Sequence, residues 1–165
     1  MKMEIIKYGN PILRAKSASV EEITEDIKKI IENMKETLLS TGNGIGLAAP
    51  QVGINKRFFI YSDLNEKKEP YDRLHAMINP VFRKKIGKDI SVEGCLSVPG
   101  MHAEVERPYR VICEGMNENG ETVRIKAEGL LARCLLHETD HLDGVLYTDI
   151  AIPDTLEPDE EEGNK

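Results

Sequence analysis

The clearest periodicity in the chain lies near its start. Ile23, Ile27, Ile30, Ile31, Met34 and Leu38 recur at steps of three and four, with lysines and acids between them. That spacing lays one apolar stripe along one side of an α-helix and leaves the charges on the other. The predicted helix is amphipathic and roughly four or five turns long. Ser19-Val20-Glu21-Glu22, just upstream, has the spacing of a capping box. Ser40-Thr41-Gly42-Asn43-Gly44 ends the helix.

Further along, the pattern shortens to strands. Phe58-Phe59-Ile60-Tyr61 is a brief aromatic run, and Met77-Ile78 and Val81-Phe82 flank Asn79-Pro80. A proline there predicts an edge strand or a bend. Arg110 to Gly115 and Thr122 to Lys126 bracket Asn119-Gly120, a strong hairpin signal. Leu130 to Leu142 then returns to a leucine-rich helical pattern, and Gly144 suits its C-terminal cap. Helix, strands, helix predicts an α+β fold with mostly antiparallel sheets packed around the second, central helix.

The chain has 165 residues, 40% hydrophobic and 31% charged, enough to bury a core without staples. No stretch reaches the ~20 apolar residues that span a bilayer. The first seven residues show no signal or transit character, so the expected location is cytoplasmic. Three scattered cysteines, Cys95, Cys113 and Cys134, make a poor disulfide framework and fit a reducing compartment. The net charge of -7 is uneven: Asp154 to Lys165 holds six acids and one base, leaving 23 acids against 21 bases in the rest. The near-neutral body lacks the basic footprint of a nucleic-acid binder. These features predict one domain over residues 1–152, without repeats or linkers, and an acidic, solvated, disordered tail over 153–165.

The chemistry concentrates in His137-Glu138-Thr139-Asp140-His141. On a helix, histidines four apart share a face and can point at one metal ion, and the glutamate beside the first can reach a water on that metal. The motif supplies two ligands and a base; a catalytic site of this type needs a third protein ligand and an open position. A closed structural site would need a fourth protein ligand instead.

In one protease pattern the third ligand is a histidine six residues on, but Tyr147 stands there. In another it is a later glutamate, and the candidates Glu157 and Glu160 to Glu162 lie in the proline-broken tail. Cysteines are better donors to zinc or iron. Cys134, on the His137 face, suits a pocket wall, and Cys113 suits a small core residue. Cys95 lies in Glu93-Gly94-Cys95-Leu96-Ser97-Val98-Pro99-Gly100, where a loop cysteine can reach the histidines from outside the helix. Gly44-Ile45-Gly46-Leu47-Ala48-Ala49-Pro50-Gln51 reads as a tight turn into a buried strand, and beside a metal as a substrate wall with one polar donor, Gln51.

Three segments together resemble the peptide deformylase family: Gly44 to Gln51, Glu93 to Ser97 and His137 to Gly144, in the family's order and spacing. Tyr8-Gly9-Asn10-Pro11-Ile12-Leu13-Arg14 resembles its N-terminal stretch, and the likeness runs to about Thr148. The resemblance implies hydrolysis of the formyl group from N-formyl-methionyl peptides and nascent chains. It also implies one divalent metal held by Cys95, His137 and His141, with ferrous iron first and nickel, cobalt or zinc as alternatives. Glu138 would be general acid and base, and Gln51 and the Leu96 N–H would face the developing oxyanion. Ile45, Gly46 and Gly94 would hold the peptide; Leu130 and Cys134 would wall the methionine pocket. The family usually has glutamine where this chain has Leu136. Many members end in a basic helix that in some docks on the ribosome; an acidic end with Pro153 and Pro158 departs from that.

Overall fold

The computed structural model describes residues 1–160. The chain runs α1 (Glu25–Thr41), β1 (Gly46–Ala48), β2 (Phe58–Ser62), β3 (Leu74–Ile86), β4 (Asp89–Cys95), β5 (Val98–Arg107), β6 (Arg110–Met116), β7 (Thr122–Glu128), α2 (Gly129–Leu142), α3 (Tyr147–Ile150) and β8 (Glu157–Pro158), joined by turns and short 3₁₀ segments. Phe58, Phe59, Ile60 and Tyr61 are four buried residues in a row, which a strand achieves only with both faces covered. One five-stranded sheet, in the order β1-β2-β3-β6-β7 and antiparallel throughout, supplies that setting. On one face α1 buries Ile27, Ile31, Met34 and Leu38 against Phe58 and Ile60. On the other α2 buries Ala132, Leu135 and Leu136 against Phe59, Tyr61 and Met77.

A smaller antiparallel sheet, β4-β5-β8, covers the far side of α2. Arg133 of α2 spans to it, donating to the carbonyls of Asp89 and Val105 at 2.9 Å each. The α+β class and the mostly antiparallel pairing are as the pattern predicts. Among the described residues no helix is long and apolar enough to cross a membrane.

Several local expectations change. The cap of α1 is Thr24, whose hydroxyl accepts the Ile27 N–H at 3.2 Å, and not Ser19. The Ser19 segment is tied elsewhere: Asn79 accepts the Val20 N–H at 2.9 Å and donates to the Val20 carbonyl at 2.8 Å. Pro80 sits in a central strand, not an edge. The β3–β6 pairing shifts between Ile78 and Val81, so Pro80 falls in a bulge where its missing N–H breaks no ladder bond. The hairpin at Asn119-Gly120 forms as predicted, and Gly144 ends α2 at φ 75°. A Cβ at Gly144 would lie 2.4 Å from the Arg14 carbonyl oxygen, so no larger residue fits.

The expected tail is also revised over the described residues. The Thr155 hydroxyl accepts the Glu104 N–H at 3.1 Å, the Asp159 N–H bonds the Gly100 carbonyl at 2.9 Å, and Glu157–Pro158 pairs with β5. Backbone pairing of this kind is indifferent to side-chain charge, which is why composition misleads here. The remainder of that expected tail, residues 161–165, lies outside the described residues.

Candidate active site

Cys95 is the last residue of β4, paired across a tight turn with Val98 at the start of β5. It is therefore a strand end, not the loop residue that its glycine and proline neighbours predict. This strand end projects the thiol at α2. The ligand atoms of Cys95, His137 and His141 all lie within 4.8 Å of one another, and Cys95 Sγ is 3.3 Å from His141 Nε2. One sulfur and two imidazole nitrogens are a donor set for zinc or iron. Three protein ligands, with no fourth in the group among the described residues, make an open site of the catalytic kind. Cys134 stays outside this group, with its thiol 3.5 Å from the Ile45 carbonyl; burial pushes its pKa well up, keeping it protonated. Cys113 is a core residue, as its surroundings in the hairpin predict.

Each histidine is prepared differently. His137 Nδ1 lies 2.7 Å from Glu93 Oε1. A carboxylate only accepts, so Nδ1 carries the proton and Nε2 is left to bind. Glu93 is in turn gripped by Arg107, at 2.5 and 2.9 Å, and by Arg133 at 2.7 Å. Burial alone would raise the Glu93 pKa; hydrogen bonds from His137 and Arg107 and the Arg107 charge outweigh it and hold the group well below the carboxylate range. Arg107 also reaches Asp140 at 2.8 Å, tying β5 to the motif helix. Burial depresses His141 and keeps it a neutral imidazole, fit to ligate. Its Nδ1 is buried without a partner among the described residues. Tyr147, which stands where a protease pattern has its third histidine, stacks its ring on His137 at 6.1 Å.

Glu138 is 4% exposed, and its Oε1 is buried with no partner among the described residues. An orphaned buried carboxylate oxygen is costly unless something else meets it. Burial lifts its pKa to about 7. Gly46 presses on this carboxyl from β1: a Cβ there would come 2.6 Å from Glu138 Oε2. Gln51 sits on a 3₁₀ turn after β1. Its Oε1 accepts the Ala48 N–H at 2.9 Å, which turns its Nε2 toward Ser97 Oγ at 3.0 Å and Cys95 Sγ at 3.5 Å.

Of the eleven residues singled out from the sequence, ten line one cavity of about 690 Å³: Glu138, His137 and Cys95 at its chemical end, with Gln51, Ile45, Gly46, Gly94, Leu96, Leu130 and Cys134 around them. His141 lies behind, against the Cys95 sulfur. The sequence reading assigned no role to Glu93, Ser97, Arg107 or Arg133. Glu93 was the findable one, because a ligating histidine needs an acceptor for its second nitrogen and Glu93 is the acid nearest Cys95 in sequence.

An open Cys-His-His group beside a buried carboxylate at the floor of a cavity defines a metal-assisted hydrolase. The polypeptide deformylase family model matches residues 2–156, and the chain belongs to that family. It is 44% identical over 151 residues to a peptide deformylase of Thermodesulfovibrio yellowstonii, covering 92% of this chain and 90% of that protein. It is 46% identical over 148 residues to the one of Desulfitobacterium hafniense, covering 90% and 93%. Among solved structures, peptide deformylase from Thermotoga maritima superposes with a TM-score of 0.85 at 39% identity, over 93% of this chain and 99% of that one. The Synechococcus elongatus enzyme, solved in complex with actinonin, gives 0.83 at 38%, over 92% and 80%.

Proposed function

We propose that this chain hydrolyses the formyl group from the N-terminal methionine of newly made proteins, releasing formate in the cytoplasm. The observation that carries this reading is the unpartnered Glu138 oxygen beside the Cys95-His137-His141 group. Those three residues hold one divalent ion, ferrous iron first, with nickel, cobalt or zinc as substitutes; thiolate and imidazole accept all of them. When bound, the ion acidifies water and polarises a carbonyl.

Glu138, with a pKa near neutrality, takes a proton from the attacking water and later gives it to the departing amine. The carbonyl carbon gains the water oxygen, the C–N bond breaks, and formate and a free amine result. The amide of Gln51, already aimed at Cys95, and the Leu96 N–H face the oxygen that gains charge; losing one such donor costs about a hundredfold or more in rate. Ile45, Gly46 and Gly94 hold the peptide backbone, and Leu130 and Cys134 wall the methionine side chain. Nascent chains bring the enzyme close to the ribosome.

The test is formate release from formyl-Met-Ala-Ser by protein purified without oxygen and loaded with ferrous iron or nickel. Release from this peptide, with the acetyl analogue left intact, supports the reading. No release from folded, metal-loaded protein overturns it.

A further inference from the structure

Cys95 closes β4 and Val98 opens β5, so Leu96 and Ser97 make the whole turn between them. The proposed function uses the Leu96 N–H and the Gln51 amide and assigns nothing to Ser97. Yet Ser97 is fully buried and held at three points. Its N–H lies 3.4 Å from Cys95 Sγ, its carbonyl accepts the Tyr8 N–H at 2.8 Å, and its Oγ accepts from Gln51 Nε2 at 3.0 Å. The hydroxyl therefore stands on a turn anchored both to the thiol and to the N-terminal segment. Gln51 lines the cavity and Ser97 does not, so the serine acts through the amide and not on a bound peptide.

The last torsion of a glutamine is broad and roughly two-fold, so an amide held at one end swings. In Gln51 the oxygen end is held by the Ala48 N–H at 2.9 Å and the nitrogen end by Ser97. An amide nitrogen carries two hydrogens and only donates, so the Ser97 oxygen takes one of them. The other is left on the side of Cys95 Sγ, 3.5 Å from Nε2, at the chemical end of the cavity. Gln51 and Ser97 are 1% and 0% exposed, so bulk water does not stand in for the serine.

We infer that Ser97 is a positioning residue for the hydrolysis: its hydroxyl takes one amide hydrogen of Gln51 and so aims the other at the oxygen that gains charge. This rests on the deformylase reading and deepens it. Removing an oxyanion donor costs about a hundredfold or more, and a donor that is present but free to swing is a lesser loss, about tenfold. The loss falls on kcat, because the charge to be met develops only in the transition state. It also requires Gln51 to be there.

The experiment measures kcat and KM for formyl-Met-Ala-Ser on the intact, metal-loaded protein, on Ser97→Ala, on Gln51→Ala and on the double variant, each with its metal content. Ser97→Ala should lower kcat by about tenfold with KM within about twofold, and Gln51→Ala should lower it by about a hundredfold. The double variant should match Gln51→Ala alone, since two residues that share one hydrogen bond do not act additively. Unchanged kcat in Ser97→Ala overturns the inference while leaving the deformylase reading intact. Losses that multiply in the double variant also overturn it, because Ser97 then acts without Gln51. So does a loss of activity that tracks lost metal, which makes the turn a structural support of Cys95. No formate from the folded, metal-loaded parent protein overturns both readings.

Discussion

Helices α1 and α2 cover opposite faces of one sheet, yet their buried sides differ in kind. The face of α1 turned to the core is Ile27, Ile31, Met34 and Leu38, and its two buried polar residues are paired, Lys35 with Glu32 and Glu118 and Thr37 with the Met3 N–H and the Asn33 carbonyl. The buried side of α2 adds Arg133, Glu138, Thr139 and His141 to its alanine and leucines. Each fully buried aliphatic side chain on α1 contributes about 1.5–3 kcal/mol by leaving water. Buried ions on α2 are worth little net and become costly when one partner is removed. The first helix holds the fold, whereas the second spends stability to hold functional groups in place: its charges make sense only with Glu93 and Arg107, which arrive from the small sheet.

The sharpest break in that comparison is Glu138→Ala. It should lower formate release by about a hundredfold to ten-thousandfold, with metal content and folding retained. Cys95→Ser in parallel should lose or change the bound metal, read by elemental analysis after dialysis.

Next comes a matched pair, Glu93→Ala and Ile31→Ala. Ile31→Ala should cost about 2–5 kcal/mol by the cavity it leaves, with metal affinity unchanged. Glu93→Ala removes the carboxylate that Arg107 and Arg133 share, leaving Arg107 to Asp140 and Arg133 to Asp89, and should cost up to about 3–5 kcal/mol. It also frees the ring of His137, so metal affinity should fall by about tenfold to a hundredfold. Urea unfolding with metal titration separates the two. Equal metal affinity in both variants would show that the Glu93 network is merely structural.

Acid should act on the α2 side first. The Glu93 pKa is lowered in the fold from an ordinary 4.5. A depressed carboxylate contributes stability that is complete above its unfolded pKa and is lost as pH falls toward the folded value. Urea midpoints should therefore change little through this group from neutrality down to about 5, then fall below about 4.5. Glu93→Gln should flatten that acid limb.

The smallest effect expected is that of Leu136→Gln. Leu136 is 5% exposed, in the α2 cluster. An amide there should cost about 1–3 kcal/mol unless it finds a partner, while formate release stays within a few-fold, because no ligand or acid–base group changes.

How much of this was legible beforehand follows the same division. Helix α1 could be read, with its start misplaced at Ser19 and not Thr24, because periodicity locates a stripe better than it locates a terminus. Strands β4 and β5 were not read. In β4 the alternation is inverted: Ile90 and Val92 face solvent, at 55% and 56% exposed, while Glu93 is buried. A pattern that sends apolar residues inward cannot find a strand whose inward residue is a charge. That strand ends on Cys95, so its absence made a strand end look like a loop.

By itself the sequence determined the amphipathic first helix, the hairpin at Asn119-Gly120, and the histidine pair with its glutamate on one helical face. All of these are local, set by spacings of a few residues. Only the tertiary structure decided which acid orients His137, that Gln51 donates to Ser97, and that Asp159 sits at the cavity against His102. Those contacts join residues 44, 46 and 57 positions apart. Over such separations no periodicity survives, and the partner is chosen by which backbones the packed core brings together.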